Sequence, residues 1–380
     1  MHALTLSLFL VFPLLQSIQN YSVLRFLSCS TISASTVLMM TLIASMATTV
    51  PYVSSLSTMS TLASRPHLLN GSQMGKLLGY VKELNNYSNT RRDIMIPFEI
   101  GGEIVGYISP AFCEQLFSYT NVFHILNFSD GKPNKLQFTS RIEQSLSSSV
   151  MCDDFNQVNE DLRRKGVIRG WRDELLPVTA SFSGAPRLLI ERAACPYYGL
   201  KAYGVHVNGF VRDAASGRVD RLWVARRAAT KSTWPGMLDH IAAGVSVQCN
   251  HHRDYLGSPI ESNNSSGGQP YGIGVMDNVV KECKEEAGID EELARRAQAC
   301  GAVSYNVIDE NNHLKRDALF CFDLELPKDF VPVPVDGEVE SFQLQPLEWV
   351  LERVIEGGEN GYKPNCNLVL MDFFIRLVTV

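Results

Sequence analysis

Residues 267–289, GGQPYGIGVMDNVVKECKEEAGI, are the stretch on which the reading of this chain turns. Wound as a helix, it sets Glu282 three residues from Glu285 and four from Glu286, so the three carboxylates crowd one face. Like charges at that spacing repel, and the arrangement asks for a compensating cation. Hard divalent ions such as Mg²⁺ take carboxylate oxygens together with the phosphate oxygens of a substrate. Gly288 fits the left-handed position that ends a helix, directly behind the cluster. Cys283 is expected to pack inward as a small apolar residue.

A charge run such as KECKEE is by itself an ordinary solvated helix face. The wider spacing says more. Gly267 precedes Lys281 by fourteen residues; then come Lys-Glu, an apolar position, a Glu pair, and a glycine followed by an aliphatic residue. This resembles the Nudix box: glycine, five residues, glutamate, seven residues, Arg-Glu, aliphatic, any residue, Glu-Glu, any residue, glycine, aliphatic. Two positions depart from it, Lys281 standing for the arginine and Ile273 for the first glutamate. The second departure removes an orienting carboxylate and leaves the metal-binding glutamates in place.

Outward from the box the pattern stays consistent with that resemblance. Residues 203–212 and 221–228 are long β-rich runs with the turn Ser216-Gly217 between them. Residues 303–308 and 318–326 read as strands, 291–300 as a second short helix, and 346–355 and 368–378 as helices or apolar closing elements. The expected fold class is α/β, a Nudix α/β/α sandwich around a mixed sheet over 200–380. It is preceded by a small α+β domain over 73–195. In that first domain 75–84 reads as a helix and 94–108 as a hairpin turning at Gly101-Gly102. A short helix opens at Pro110, 136–142 reads as a strand, and 158–165 as an amphipathic helix stopped by Gly166. Residues 245–266 interrupt IAAG and GGQPYGI with polar, patternless sequence, and a structureless loop of that length is uncommon in a compact domain. A retained intron or mis-predicted exon is the first reading of that segment, and a surface insertion the second. His251 and His252 within it read as solvent-exposed.

The chain also resembles, over roughly residues 73 to 380, a plant and fungal Nudix group often labelled thiamine pyrophosphokinase-related, which includes plastid-type plant enzymes. TWPGMLDHIAAG and SYNVIDENNHLKRDALFCFDLELPKDFVPVPVDGEVESFQLQPLEWV carry the match. It implies metal-dependent hydrolysis of nucleoside-diphosphate-type compounds, with oxo- and oxythiamine diphosphates as leading substrates and 8-oxo-dGDP as the second. Glu282, Glu285 and Glu286 are then the ligands of Mg²⁺ or Mn²⁺, and Lys281 pairs with a box glutamate. Glu285, Glu286, Glu338 or Glu340 serves as proton acceptor. Trp234, His240 and Tyr305 would flank the cleft as weak candidates for the organic ring, although such residues are more often core. Trp171 and Arg172 of the first domain stand equal to them. A kinase, which the group's label invites, would need ATP-binding elements, and no GxxxxGK[ST] loop occurs. A non-catalytic nucleotide sensor is the other alternative, favoured by Ile273 and opposed by the intact glutamates.

Of the 380 residues 45% are hydrophobic, enough for a sizeable core in two domains, and a net charge of −6 gives no reason to expect a nucleic-acid polymer as partner. The nine cysteines include no CxxC pair and read as reduced thiols. No Asp or Glu precedes Glu83, and Ser and Thr abound from Ser17 to Ser72. Residues 1–65 therefore read as a disordered targeting leader of plastid type. The first fifteen are too short for a comfortable membrane span, and no membrane contact is expected of the mature form. Translation from Met40 or Met46 is a variant of this reading, and a cytoplasmic location its alternative. Oligomeric state is left open.

Overall fold

The computed structural model describes residues 69–87, 94–147, 149–182, 184–245 and 274–379. The leader, Gly267, Ile273 and all of the 245–266 segment except Val245 lie outside the described residues.

An opening helix α1 (Gly71–Leu84) is capped by Asn70, whose side chain accepts from the Gln73 N–H at 2.9 Å while Gln73 returns the bond. The hairpin β1 (Ile96–Ile100) and β2 (Glu103–Ile108) turns at Gly101-Gly102, both with positive φ. After α2 (Pro110–Leu116), capped by Ser109, come β3 (Phe123–Asn127) and β4 (Pro133–Phe138). These strands form one mixed sheet in the order β2-β1-β4-β3, with β1 and β4 parallel. The strand expected over 136–142 ends early: it stops at Phe138, and α3 (Ser140–Leu146) begins immediately after extended Thr139. Helix α4 (Asp153–Arg164) begins five residues before the expected start, with Asp153 and Asp154 in its first turn and Arg163 and Arg164 in its last, complementing its dipole. A small hairpin of β5 (Leu175–Val178) and β6 (Leu188–Glu191) completes this part.

Gly106 and Gly199 decide how the chain leaves it. A Cβ on Gly199, which has φ +58°, would stand 1.9 Å from the Tyr107 carbonyl oxygen, and one on Gly106 would stand 2.2 Å from that of Tyr198. Only glycine lets the two backbones cross there.

The seven-stranded mixed sheet is built on β7 (Lys201–Arg212) and β8 (Val219–Arg227), with β9 (Leu238–Asp239) and β10 (Ala242–Val245). The box helix α5 (Val275–Ala287) and the one-turn α6 (Glu291–Ala294) follow, then β11 (Gln298–Ile308), β12 (Leu314–Glu325) and β13 (Val339–Pro346). Two helices close the chain, α7 (Leu347–Glu356) and α8 (Pro364–Thr379). The second helix expected over 291–300 is shorter than anticipated. It gives way to β11, whose residues 298–308 pair with β12 over nearly their whole length, so ladder formation overrides local helix preference.

Alternation along the strands sorts the layers. Val205, Val207 and Val211 of β7 face α5, as do Phe322 and Leu324 of β12. Phe210, Leu222 and Val224 face α7, α8 and α1, and Leu319 and Cys321 face Leu368 and Val369 of α8. The result is an α/β/α sandwich. Strand β7 pairs parallel with β12 on one edge, and on the other is shared by β10 over Gly204–Val207 and β8 over Phe210–Arg212. Among the described residues no helix is long and apolar enough to cross a membrane.

Candidate active site

Helix α5 presents two adjacent buried rows to the sheet. Val279, Cys283 and Ala287 enter the apolar core, and burial pushes the Cys283 thiol up to about 12. Asn278, Glu282 and Glu286, four residues apart, instead lie along the backbone of β10. Asn278 Nδ2 donates to the Val245 carbonyl at 3.2 Å, and the Ala243 N–H donates to Glu286 Oε2 at 2.9 Å. Between them the Glu282 carboxylate rests on Gly244, where a Cβ would stand 2.0 Å from its Cδ. A glycine is therefore a steric condition of the Glu282 position. The helix ends in a Schellman turn: Gly288 has φ +65°, the Ile289 N–H reaches the Cys283 carbonyl at 3.1 Å, and Ile289 is fully buried.

The row is electrostatically expensive. Glu286 is 8% exposed and Glu282 6%, and burial together with the neighbouring Glu282 and Asp239 raises the Glu286 carboxyl well above its ordinary range. The Ala243 N–H offsets only part of this. Lys281 Nζ lies 2.6 Å from Glu285 and 3.5 Å from Glu282. Burial works against its charge, but the two carboxylates outweigh burial and raise its pKa. Glu285 is exposed and turns toward Lys281 at the i,i+4 spacing.

A second group of charges adjoins the row. Asp239 is buried, which opposes its ionisation, yet Lys363 at 3.0 Å and Arg227 at 2.8 Å hold it well below the usual carboxylate range. Arg227 also donates to the carbonyls of Trp234 and Thr233, both at 3.0 Å, and so fixes the loop between β8 and β9. Trp234 is 47% exposed on that loop with φ +54°, a conformation uncommon for a bulky side chain. Lys231 from the same loop sits 2.6 Å from Glu338. Burial raises the Glu338 carboxyl, but Lys231 and Arg227 prevail and its pKa is lowered. Arg172 reaches in from the segment between α4 and β5, its Nη2 donating to Ser232 Oγ at 3.3 Å. Glu191 orders that approach by accepting the backbone N–H groups of Arg172 and Glu174 at 2.9 and 3.1 Å.

The structure thus brings Lys281, Glu282, Glu285 and Glu286 together, with Glu338 close enough to add to the repulsion on Glu286. Glu340 is exposed at a bulge of β13. Trp171 lies under the Arg163 guanidinium and donates to Asp173, within the first domain. His240 and Tyr305 are not brought to the carboxylate row. Tyr305 is 6% exposed, packs among Leu319, Leu368 and Val369, and gives its hydroxyl to Asp317. His240 is 3% exposed beside His206 and Cys366. Neither ring is open to a substrate. Sequence reading overlooked Gly244, Asn278, Lys231 and Asp239; the small-residue run IAAG before the box was the one available signal, since close backbone approach needs such residues.

The donor set suits a divalent cation. Two buried carboxylates stand side by side with Lys281 beside them, and Glu285 extends the set to the surface. Oxygen ligands of this kind fit a hard metal ion, which would offset the burial and the repulsion that raise Glu286.

A family described as a domain of unknown function, DUF4743, matches residues 76–202. Nudix hydrolase 20, chloroplastic, from Arabidopsis thaliana is 39% identical over 342 residues, spanning 87% of this chain and 81% of that protein. Nudix hydrolase 24, chloroplastic, from the same plant is 40% identical over 282 residues, spanning 74% of this chain and 67% of that protein. The Nudix domain of NrtR from Shewanella oneidensis, solved in complex with ADP ribose, is 10% identical, covers 47% of this chain and 90% of its own, with a TM-score of 0.31. Identity of that extent to the two plant proteins coincides with a box helix that lays Glu282 and Glu286 against one strand, and the chain belongs to the Nudix hydrolase family.

Proposed function

We propose that this enzyme hydrolyses the diphosphate of damaged thiamine diphosphates, the oxo- and oxythiamine forms, to the monophosphate and inorganic phosphate. The observation that supports a diphosphate site is the Glu282–Glu286 row pressed onto β10, with Gly244 making room for it. Glu282, Glu285 and Glu286 would hold Mg²⁺ or Mn²⁺. When bound, the ion neutralises phosphate charge and acidifies a water.

The chain's own residues supply the rest. Lys281 orients Glu285, and the Ala243 N–H and Gly244 backbone orient Glu286 and Glu282. Glu338, kept ionised by Lys231, accepts the proton of the attacking water, whose oxygen bonds to phosphorus as the bridging P–O bond breaks. Arg172 offers a cation to the departing phosphate from the first domain. Trp234, exposed on a loop that Arg227 holds rigid, stacks on the organic ring. Residues 73–195 act as the family-specific domain and 200–380 as the Nudix domain. The leader directs the protein to plastids, as the names of the Arabidopsis relatives suggest.

The test is a substrate screen with Mg²⁺ or Mn²⁺ on protein lacking residues 1–60, following phosphate and monophosphate release. A higher kcat/KM for oxothiamine or oxythiamine diphosphate than for thiamine diphosphate is expected. Preference for 8-oxo-dGDP or a sugar nucleotide over every thiamine compound would refute the substrate while leaving the hydrolase chemistry intact.

A further inference from the structure

On the face of the sheet opposite the box helix, three side chains that the hydrolase chemistry does not use meet in the interior. His206 comes from β7, His240 from the link between β9 and β10, and Cys366 from the first turn of α8. A nitrogen of each imidazole and the Cys366 sulfur all lie within 4.8 Å of one another. His206 and His240 are each 3% exposed and Cys366 is fully buried. The two rings stand at 88° with centroids 4.9 Å apart, so neither stacks on the other. By hydrogen-bond geometry both nitrogens of His240 and Nδ1 of His206 lack a partner among the described residues, with the Cys366 backbone lying near the His240 ring outside that geometry. Buried imidazole nitrogens are normally satisfied, and three unsatisfied ones in one pocket point to an occupant.

We infer that His206, His240 and Cys366 bind a zinc ion, at a site distinct from the carboxylate row. Two imidazoles and a thiolate are a borderline-soft set, which favours zinc over the hard ions that glutamates hold. Zinc bonds of 2.0–2.3 Å in a tetrahedral site set ligand atoms about 3.3–3.8 Å apart, so from separations within 4.8 Å the three side chains close by at most about 1.5 Å on loading. The Cys366 thiol now lies 3.0 Å from Asp239 Oδ1. On binding, its proton leaves to solvent and the sulfur lone pair goes to the metal. Asp239 keeps Lys363 and Arg227, and a water or Asp239 Oδ1 takes the fourth position. The charges facing the site are Asp239, Asp323, Lys363 and Arg227. The role is structural: zinc ties α8 and β7 to the segment that leads, three residues on, to Ala243 and its bond with Glu286.

The experiment uses the full chain and needs no substrate. Protein produced with zinc available is dialysed against EDTA and its metal content measured, and a second preparation carries cobalt for visible spectroscopy. One zinc per chain is expected, with a thiolate-to-cobalt charge-transfer band. Cys366→Ser should lose both, and Glu285→Gln should keep both, which separates this site from the box. Wild-type protein without zinc, or a cobalt spectrum without the thiolate band, overturns the proposal. So does zinc retained in full by Cys366→Ser. Should Cys366→Ser fail to fold, the wild-type cobalt band decides alone.

Discussion

Glu191 at the end of β6 and Glu286 of the box helix are both buried glutamates, 4% and 8% exposed, and their surroundings differ in kind. Glu191 accepts three backbone N–H groups, from Arg172, Glu174 and Ala193, at 2.9 to 3.1 Å. Among the described residues Glu286 accepts one, from Ala243, and it faces Glu282 and Asp239. Around Glu191 the domain is a core of aromatic rings, Phe98, Phe123, Phe138, Phe155 and Tyr198, in tilted, edge-to-face and stacked contacts. Its one buried phenol donates to Asn159 at 2.9 Å. A carboxylate buried with its hydrogen bonds complete serves the fold. One buried among like charges costs stability, and the cost is tolerated where a ligand relieves it.

The sharpest way to break that comparison is Glu286→Gln. Its amide oxygen still accepts from Ala243 while the charge that the proposed metal site needs is gone. Turnover should fall by about two orders of magnitude or more. Burial and the neighbouring Glu282 and Asp239 raise the folded-state carboxyl of Glu286, so its contribution to stability is full below the ordinary carboxyl range and is lost as pH rises from there through the raised value. The Tm without divalent metal should therefore stay level or rise at neutral pH. A clear drop in Tm with full activity would reverse the roles assigned to the two glutamates.

Glu191→Gln should do the opposite. It replaces one accepting oxygen with an NH₂ group aimed at backbone donors, and unfolding free energy should fall by about 1–3 kcal/mol. Denaturant titration measures this, and a change within ±0.5 kcal/mol would remove the contrast. Arg172→Ala sharpens the link between the domains, raising KM about tenfold with a smaller change in kcat if its cation meets substrate phosphate in both ground and transition states. Unchanged steady-state kinetics would confine the first domain to a structural role. The smallest effects separate the late acids: Glu338→Gln should lower kcat by about tenfold or more, whereas exposed Glu340→Gln should leave the rate within error. Equal effects from the two would unseat Glu338.

The box helix was legible because its information is local. Spacings of three and four residues put the glutamates on one side of the helix and marked Gly288 as its left-handed end, and the box pattern paired Lys281 with a glutamate that the structure identifies as Glu285. The hairpin at Gly101-Gly102 was legible for the same reason, as was the helix opening at Pro110. The boundary at Thr139 was not. Residues 136–142 hold one apolar pattern compatible with both states, and pairing of Phe138 with Phe123 decided where the strand ended.

By itself, then, the amino-acid order determined the chemistry that a single helix can display, the alternation of the strands and the family to which the box belongs. Tertiary structure decided what lies across from each of those groups. Gly244 is 38 residues from Glu282, Arg172 is 60 from Ser232, and Cys366 is 160 from His206, and no periodicity spans such separations. Those contacts exist because β7 carries α5 on one face and α8 on the other. Parallel pairing with β12 fixes its register, and with it which side chains point to the carboxylates and which to the buried imidazoles.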